Sequence, residues 1–87
     1  MRTEDEKTLK NETKKIYLEP FETQLEEALE ENARKRLDEY LLYNEETASE
    51  LKRSFHKETI AALKVEKEAL EELLATIKKE LKKVERY

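Results

Sequence analysis

Every fourth residue from Phe21 onward is apolar: Phe21, Leu25, Leu29, Ala33, Leu37 and Leu41, with Ala28 and Tyr40 beside them. Such spacing marks one face of a helix. A strict spacing of four drifts by about 40° per step around a helix of 3.6 residues per turn, so the stripe spirals. It predicts a partner that crosses at an angle, or two partners that share the stripe. Upstream the pattern thins to Leu9, Thr13, Ile16 and Tyr17, opened by Thr3 and Glu6 at the spacing of a capping box. Pro20 disfavours helical geometry at the residue before it and suits the first turn of a helix. The expectation is a kink near Pro20, with residues 1–19 a polar helix or partly mobile arm and 20–43 an amphipathic helix.

Asn44 is followed by Thr47 and Glu50, again at capping-box spacing. Asn both ends helices and caps their starts, so a turn is expected near Asn44. Folding the chain antiparallel there pairs residues whose numbers sum to about 88. Leu41 then meets Ala48, Leu37 meets Leu51, Ala33 meets Phe55, Leu29 meets Ile60 and Leu25 meets Leu63, and the same line lays Leu18 on Leu70. The alternative is one continuous helix over 20–86, which would leave its stripes exposed to water.

From residue 60 the spacing changes to alternating threes and fours. Ile60, Leu63, Lys67, Leu70, Leu74, Ile77, Leu81 and Val84 fill successive a and d positions of a heptad, and all but Lys67 are apolar. That is a coiled-coil seam, and it makes 44–87 one long helix with heptads from about 60. These eight residues are the expected oligomer interface. A parallel dimer would set Glu66 against Glu71 and Glu80 against Glu85. An antiparallel one sets Glu71 beside Lys78 and Lys64 beside Glu85, so an antiparallel dimer is favoured. The competing arrangement covers the seam with the first helix of the same chain.

Composition sharpens this reading. The chain of 87 residues has 46% charged and 37% apolar residues, no glycine, no cysteine and one proline. Without glycine, hairpin turns that need positive φ are hard to make, so strands are not expected and the class is all-α. Without cysteine there is neither a disulfide framework nor a thiolate ligand. The formal net charge of −4 gives no overall basic signature for nucleic acid. No run of about 18 apolar residues suggests a membrane span. Residues 1–10 lack the apolar stretch of a secretory signal, which points to the cytoplasm or the inside of a virion.

Chemistry is sparse. His56 is the only histidine and has no Glu at the spacing of carboxylate metal bundles, so it reads as a boundary residue on a helix. Paired carboxylates such as Glu26/Glu30 and Glu68/Glu72 read as a solvated face, because nothing predicts the desolvated pocket that would split their pKa values. No cofactor or metal is expected, and no enzymatic activity. Arg34, Lys35 and Arg36 converge with Lys52, Arg53 and Lys57 in the hairpin, forming a basic collar that could contact phosphate or an acidic partner. Lys78, Lys79, Lys82, Lys83 and Arg86 gather where a helix dipole favours cations. Tyr40, Leu42 and Tyr43 crowd the tip and cannot all face inward, which marks a contact surface.

These patterns together predict a long antiparallel helical hairpin of two to three helices with a coiled-coil seam in its last third. The expected role is structural: assembly by self-association and by binding another protein. Two other readings are a small regulatory protein that binds nucleic acid through the collar, and a helical inhibitor that fills a larger protein's groove.

Overall fold

The computed structural model describes the backbone of residues 2–85 and the side chains of residues 9–84. It contains two helices, α1 (Arg2–Glu45) and α2 (Glu50–Glu85), packed against each other as a hairpin. The molecule is a rod of 72 × 15 × 14 Å. The side chains of the expected Thr3–Glu6 capping box, and Arg86 of the basic cluster, lie outside the described residues.

No break occurs at Pro20. It lies inside α1, exposed, and the helix passes through it. Proline removes one backbone bond and costs about 3 kcal/mol in a helix interior. That cost is carried by tertiary packing, because Leu18 and Leu25 on either side of Pro20 both join the apolar core. Residues 2–19 and 20–43 thus lie in one helix, and the described residues form two helices.

The turn also falls later than expected. Asn44 is still helical, and the chain reverses over 46–49. The Glu46 carboxylate Oε1 accepts bonds from the backbone N–H of Ala48 (3.1 Å) and Ser49 (2.9 Å). Ser49 Oγ then accepts from Lys52 N–H at 3.3 Å, the bond an N-cap residue makes. Ser49, not Thr47, thus caps α2, and Glu46 acts as the acceptor that closes the reversal. Among the described residues no φ is positive, so this turn needs no glycine.

Moving the turn moves the register. Glu39 pairs with His56, Asn32 with Leu63 and Tyr43 with Arg53, numbers that sum to about 95. The shift from 88 is about seven residues, one heptad. From residue 60 onward it keeps the same face of α2 against α1 but changes every partner. A register of 88 would have set Ile77, Leu81 and Val84 against Asn11, Lys7 and Glu4, charged or polar side chains that give apolar residues no cover.

In the observed register, Leu25, Ile77 and Leu81 form the core cluster, with Leu18, Leu70 and Leu74 packed on it. Ile60 and Val84 are buried as well. The inward positions of α2 are 56, 60, 63, 67, 70, 74, 77, 81 and 84. Those of α1 are 18, 22, 25, 29, 32, 36, 39 and 43. Both rows alternate steps of three and four, so neither spirals away from the other. The stripe spaced by four does spiral away: only Leu25 is buried and Leu29 half-buried, whereas Phe21, Ala33, Leu37 and Leu41 are exposed. The expected pairs of Leu37 with Leu51 and Ala33 with Phe55 are not made, and all four residues face water.

Because Pro20 sits within a helix, Pro20→Ala is expected to stabilise the chain by about 2–3 kcal/mol, the helix-interior cost of proline. Urea denaturation of both proteins measures it. A neutral or destabilising result would place a helix start at Pro20.

Candidate interaction surface

The inward row of α1 is built from unlike halves. Away from the turn it presents Leu18 and Leu25, and α2 answers with Leu70, Leu74, Ile77 and Leu81. Toward the turn it presents Asn32, Arg36, Glu39 and Tyr43, and there the two helices meet through polar groups.

Asn32 is the most enclosed of these, with 1% of its surface exposed. Its Nδ2 donates to the Leu63 carbonyl at 2.9 Å and to Glu66 Oε1 at 3.1 Å. Its Oδ1 accepts from Arg36 Nε at 2.9 Å. A buried amide costs little when bonded and much when not, and here every buried side-chain polar atom among the described residues has a partner. One heptad further toward the turn, His56 Nδ1 lies 2.7 Å from Glu39 Oε2, with both side chains about four-fifths buried. Next, the Arg53 guanidinium lies over the Tyr43 ring at 4.5 Å. Lys64 Nζ sits 5.7 Å from the Tyr40 ring centroid. Both are cation–π contacts.

Beside these polar groups Ile60 is buried and Leu63 half-buried in the seam, but most of the large apolar residues of this half are outside. Leu51 is 83% exposed, Phe55 64% and Leu37 59%, and Tyr40, Leu41 and Leu42 are exposed too. Leu51 and Phe55, with Lys52 and His56, line a shallow apolar hollow on α2. Of the residues expected at the tip, Tyr40 and Leu42 are exposed, while Tyr43 turns inward under Arg53. The half near the turn therefore carries its apolar surface on the outside.

The basic residues are not gathered on one face. Arg36 is held by Asn32 and Arg53 by Tyr43. Arg34 lies 3.9 Å from Glu31 on the same helix. Lys35 and Lys52 are exposed along one long side of the rod and Lys57 along the other, beside Tyr43, Glu50, Arg53 and Ser54. The eight residues expected to bind a second chain, Ile60, Leu63, Lys67, Leu70, Leu74, Ile77, Leu81 and Val84, are turned toward α1 of the same chain, all buried or half-buried. Lys67 reaches out to Glu71 Oε1 at 3.4 Å. Among the described residues no group of three or more His, Asp or Glu side chains could hold a metal ion.

The bonds of Asn32 leave it replaceable. Leu63 O belongs to a helix, and Glu66 and Arg36 can turn to water. Asn32→Leu is therefore expected to raise stability by about 1–3 kcal/mol, as when buried polar groups give way to apolar ones of similar volume. Asn32→Ala, which leaves a void as well, is expected to lower it. Paired thermal melts followed by circular dichroism decide both.

No protein-family model matches this chain, and no curated protein or solved structure does either. What the molecule does is therefore read from the two helices and the surface they expose.

Proposed function

We propose that this chain is a non-enzymatic structural or assembly protein that works by helix-mediated self-association and by binding another protein. The observation that carries this reading is the reversal near the turn, with Asn32, Glu39 and His56 between the helices and Leu37, Leu41, Leu51 and Phe55 in water. Exposed apolar residues are ordinary when scattered. Here they run along a thin rod of two helices, with Leu37, Leu41, Leu51 and Phe55 in the half near the turn and Ile16, Tyr17, Phe21 and Leu73 in the other, which is the surface of a component whose burial is completed by another molecule.

Each helix of a two-helix rod has one neighbour, whereas helices in bundles have two or more. The seam between α1 and α2 is proposed to be a short antiparallel coiled coil, and the outer apolar residues its contacts to further helices. No described helix is long and apolar enough to cross a membrane. The proposed setting is the cytoplasm or the interior of a virion. The dispersal of the basic side chains gives nucleic acid less to hold than a collar would, so the assembly reading is preferred to a regulator that binds phosphate.

Multi-angle light scattering over a range of concentrations tests the proposal. The expected mass rises from that of the 10.4 kDa chain to at least twice it. A mass that stays at one chain up to millimolar concentration would remove self-association from the reading.

A further inference from the structure

The two rows that face each other define positions a and d on both helices, and the flanks follow from them. On α1, Phe21, Ala28, Lys35 and Leu42 occupy successive g positions. On α2, Lys52, Thr59, Glu66, Leu73 and Glu80 occupy g, and Phe55, Ala62, Ala69 and Thr76 occupy the neighbouring c. In an antiparallel pair, g flanks g and e flanks e. Two contacts fix this assignment: Asn32 at d reaches Glu66 at g, and Lys64 at e lies by Tyr40 at e.

The long sides of the rod are therefore unlike. The e side of α2 carries Lys57, Lys64, Glu71 and Lys78. The g side carries Phe21, Ala28, Leu42, Phe55, Ala62, Ala69 and Leu73, bordered on α1 by Gln24, Glu31 and Asp38 at c, and on α2 it repeats the spacing of a second seam. We propose that the face bearing Phe21, Ala28, Leu42, Phe55, Ala62 and Leu73 receives a second copy of this chain, antiparallel, to make a four-helix bundle. This inference rests on the self-association reading and specifies its surface and direction.

Three features select a second copy. First, the face has large residues at two levels and small ones between. By the observed register Phe21 and Leu73 share one level, and Leu42 and Phe55 share another, about 30 Å away at 1.5 Å per residue. Ala28, Ala62 and Ala69 lie between them. All four large residues are substantially exposed, Leu73 at 49%. A two-fold axis across the middle of this face lays each large pair of one copy on the other large pair of its partner. The alanines let the helices approach closely.

Second, the charges on this face choose the direction. Midway between the large pairs lies the level of Asn32 and Leu63. Lys35 stands three residues from it toward the turn, and Glu66 three residues from it the other way. An antiparallel copy brings each Lys35 beside its partner's Glu66, two opposite pairs by symmetry. A parallel copy sets Lys35 against Lys35 and Glu66 against Glu66. Third, the area suffices. A stable pair buries about 800 Å² per partner, roughly a ninth of the 7282 Å² this rod exposes, and one of its four long sides supplies that.

Sedimentation equilibrium of the full chain tests the inference, with helix content followed in every variant to confirm folding. L73E places a charge on the face without touching an inward ring, F55E does so beside the His56 ring that Phe55 meets edge-on, and both are expected to weaken the dimer at least tenfold. K35E and E66K each set like charges together, and each alone is expected to weaken it by about tenfold, the sum of several surface charge pairs. Mixed one to one, K35E and E66K restore both opposite pairs, so a heterodimer tighter than either homodimer is expected. A dimer that forms unchanged in F55E and L73E overturns this face while leaving self-association standing. K35E and E66K homodimers as tight as the wild-type dimer overturn the antiparallel direction, because a parallel pair already sets like charges together in the wild type. A wild-type chain that stays monomeric overturns the inference together with the reading beneath it.

Discussion

A helix with a single helical neighbour can bury only one stripe of its surface, and the character of this rod follows from how that stripe is filled. Both inward rows alternate steps of three and four, so the helices stay in contact from Asn11 and Val84 down to the turn. Leucine and isoleucine fill the part away from the turn, where Leu25, Ile77 and Leu81 form the core. Asn32, Arg36, Glu39 and His56 fill the part near it. Apolar residues that have no place in the stripe are left on the outer sides, and there is no second layer to receive them.

This division explains which parts of the structure could be read in the amino-acid sequence. The inward face of α2 is legible because seven of its eight positions between 60 and 84 are apolar. Its partner is not legible, because the same spacing suits a second chain or the first helix. The inward face of α1 is hidden, since Glu22, Asn32, Arg36 and Glu39 sit on it. The eye follows Phe21, Ala33, Leu37 and Leu41 instead, a conspicuous row that drifts off the contact. From that row came a register one heptad out. The turn was masked for a related reason: Asn44 has the stronger local signature, but the bonds that close the reversal come from Glu46 and Ser49. The helix through Pro20 illustrates tertiary packing overriding a local preference. The pairing of Glu39 with His56 needed the register before it could be seen at all.

Polar groups in a seam cost stability and restrict alternatives. Asn32 finds its three partners only when Leu63 and Glu66 stand opposite it, and a slip of one heptad would set it against His56 and Thr59 in one direction or Leu70 and Leu73 in the other, without the Glu66 carboxylate. The apolar part of the seam discriminates less, since leucines accept several neighbours. Specific pairing and adhesive strength are thus assigned to different ends of one hairpin, a division used elsewhere to fix register with a single buried asparagine.

The turn itself is the weakest clasp of the rod. The apolar core built from Leu18 and Leu25 with Leu70, Leu74, Ile77 and Leu81 joins residues about fifty positions apart, whereas Glu39 and His56 are seventeen apart. Closing the longer separation costs only about 1 kcal/mol more in chain entropy, since that term grows with the logarithm of length. Burial of a few leucines exceeds this. Local opening, which is easier where buried apolar contacts are fewer, is then easier beside the turn than around the core of Leu70 to Leu81. The helices would part as a bubble at the bend, held together beyond it. Amide protons near 36–43 and 53–57 would exchange with water sooner than those near 70–81, the reverse of a hairpin that unzips from its open end.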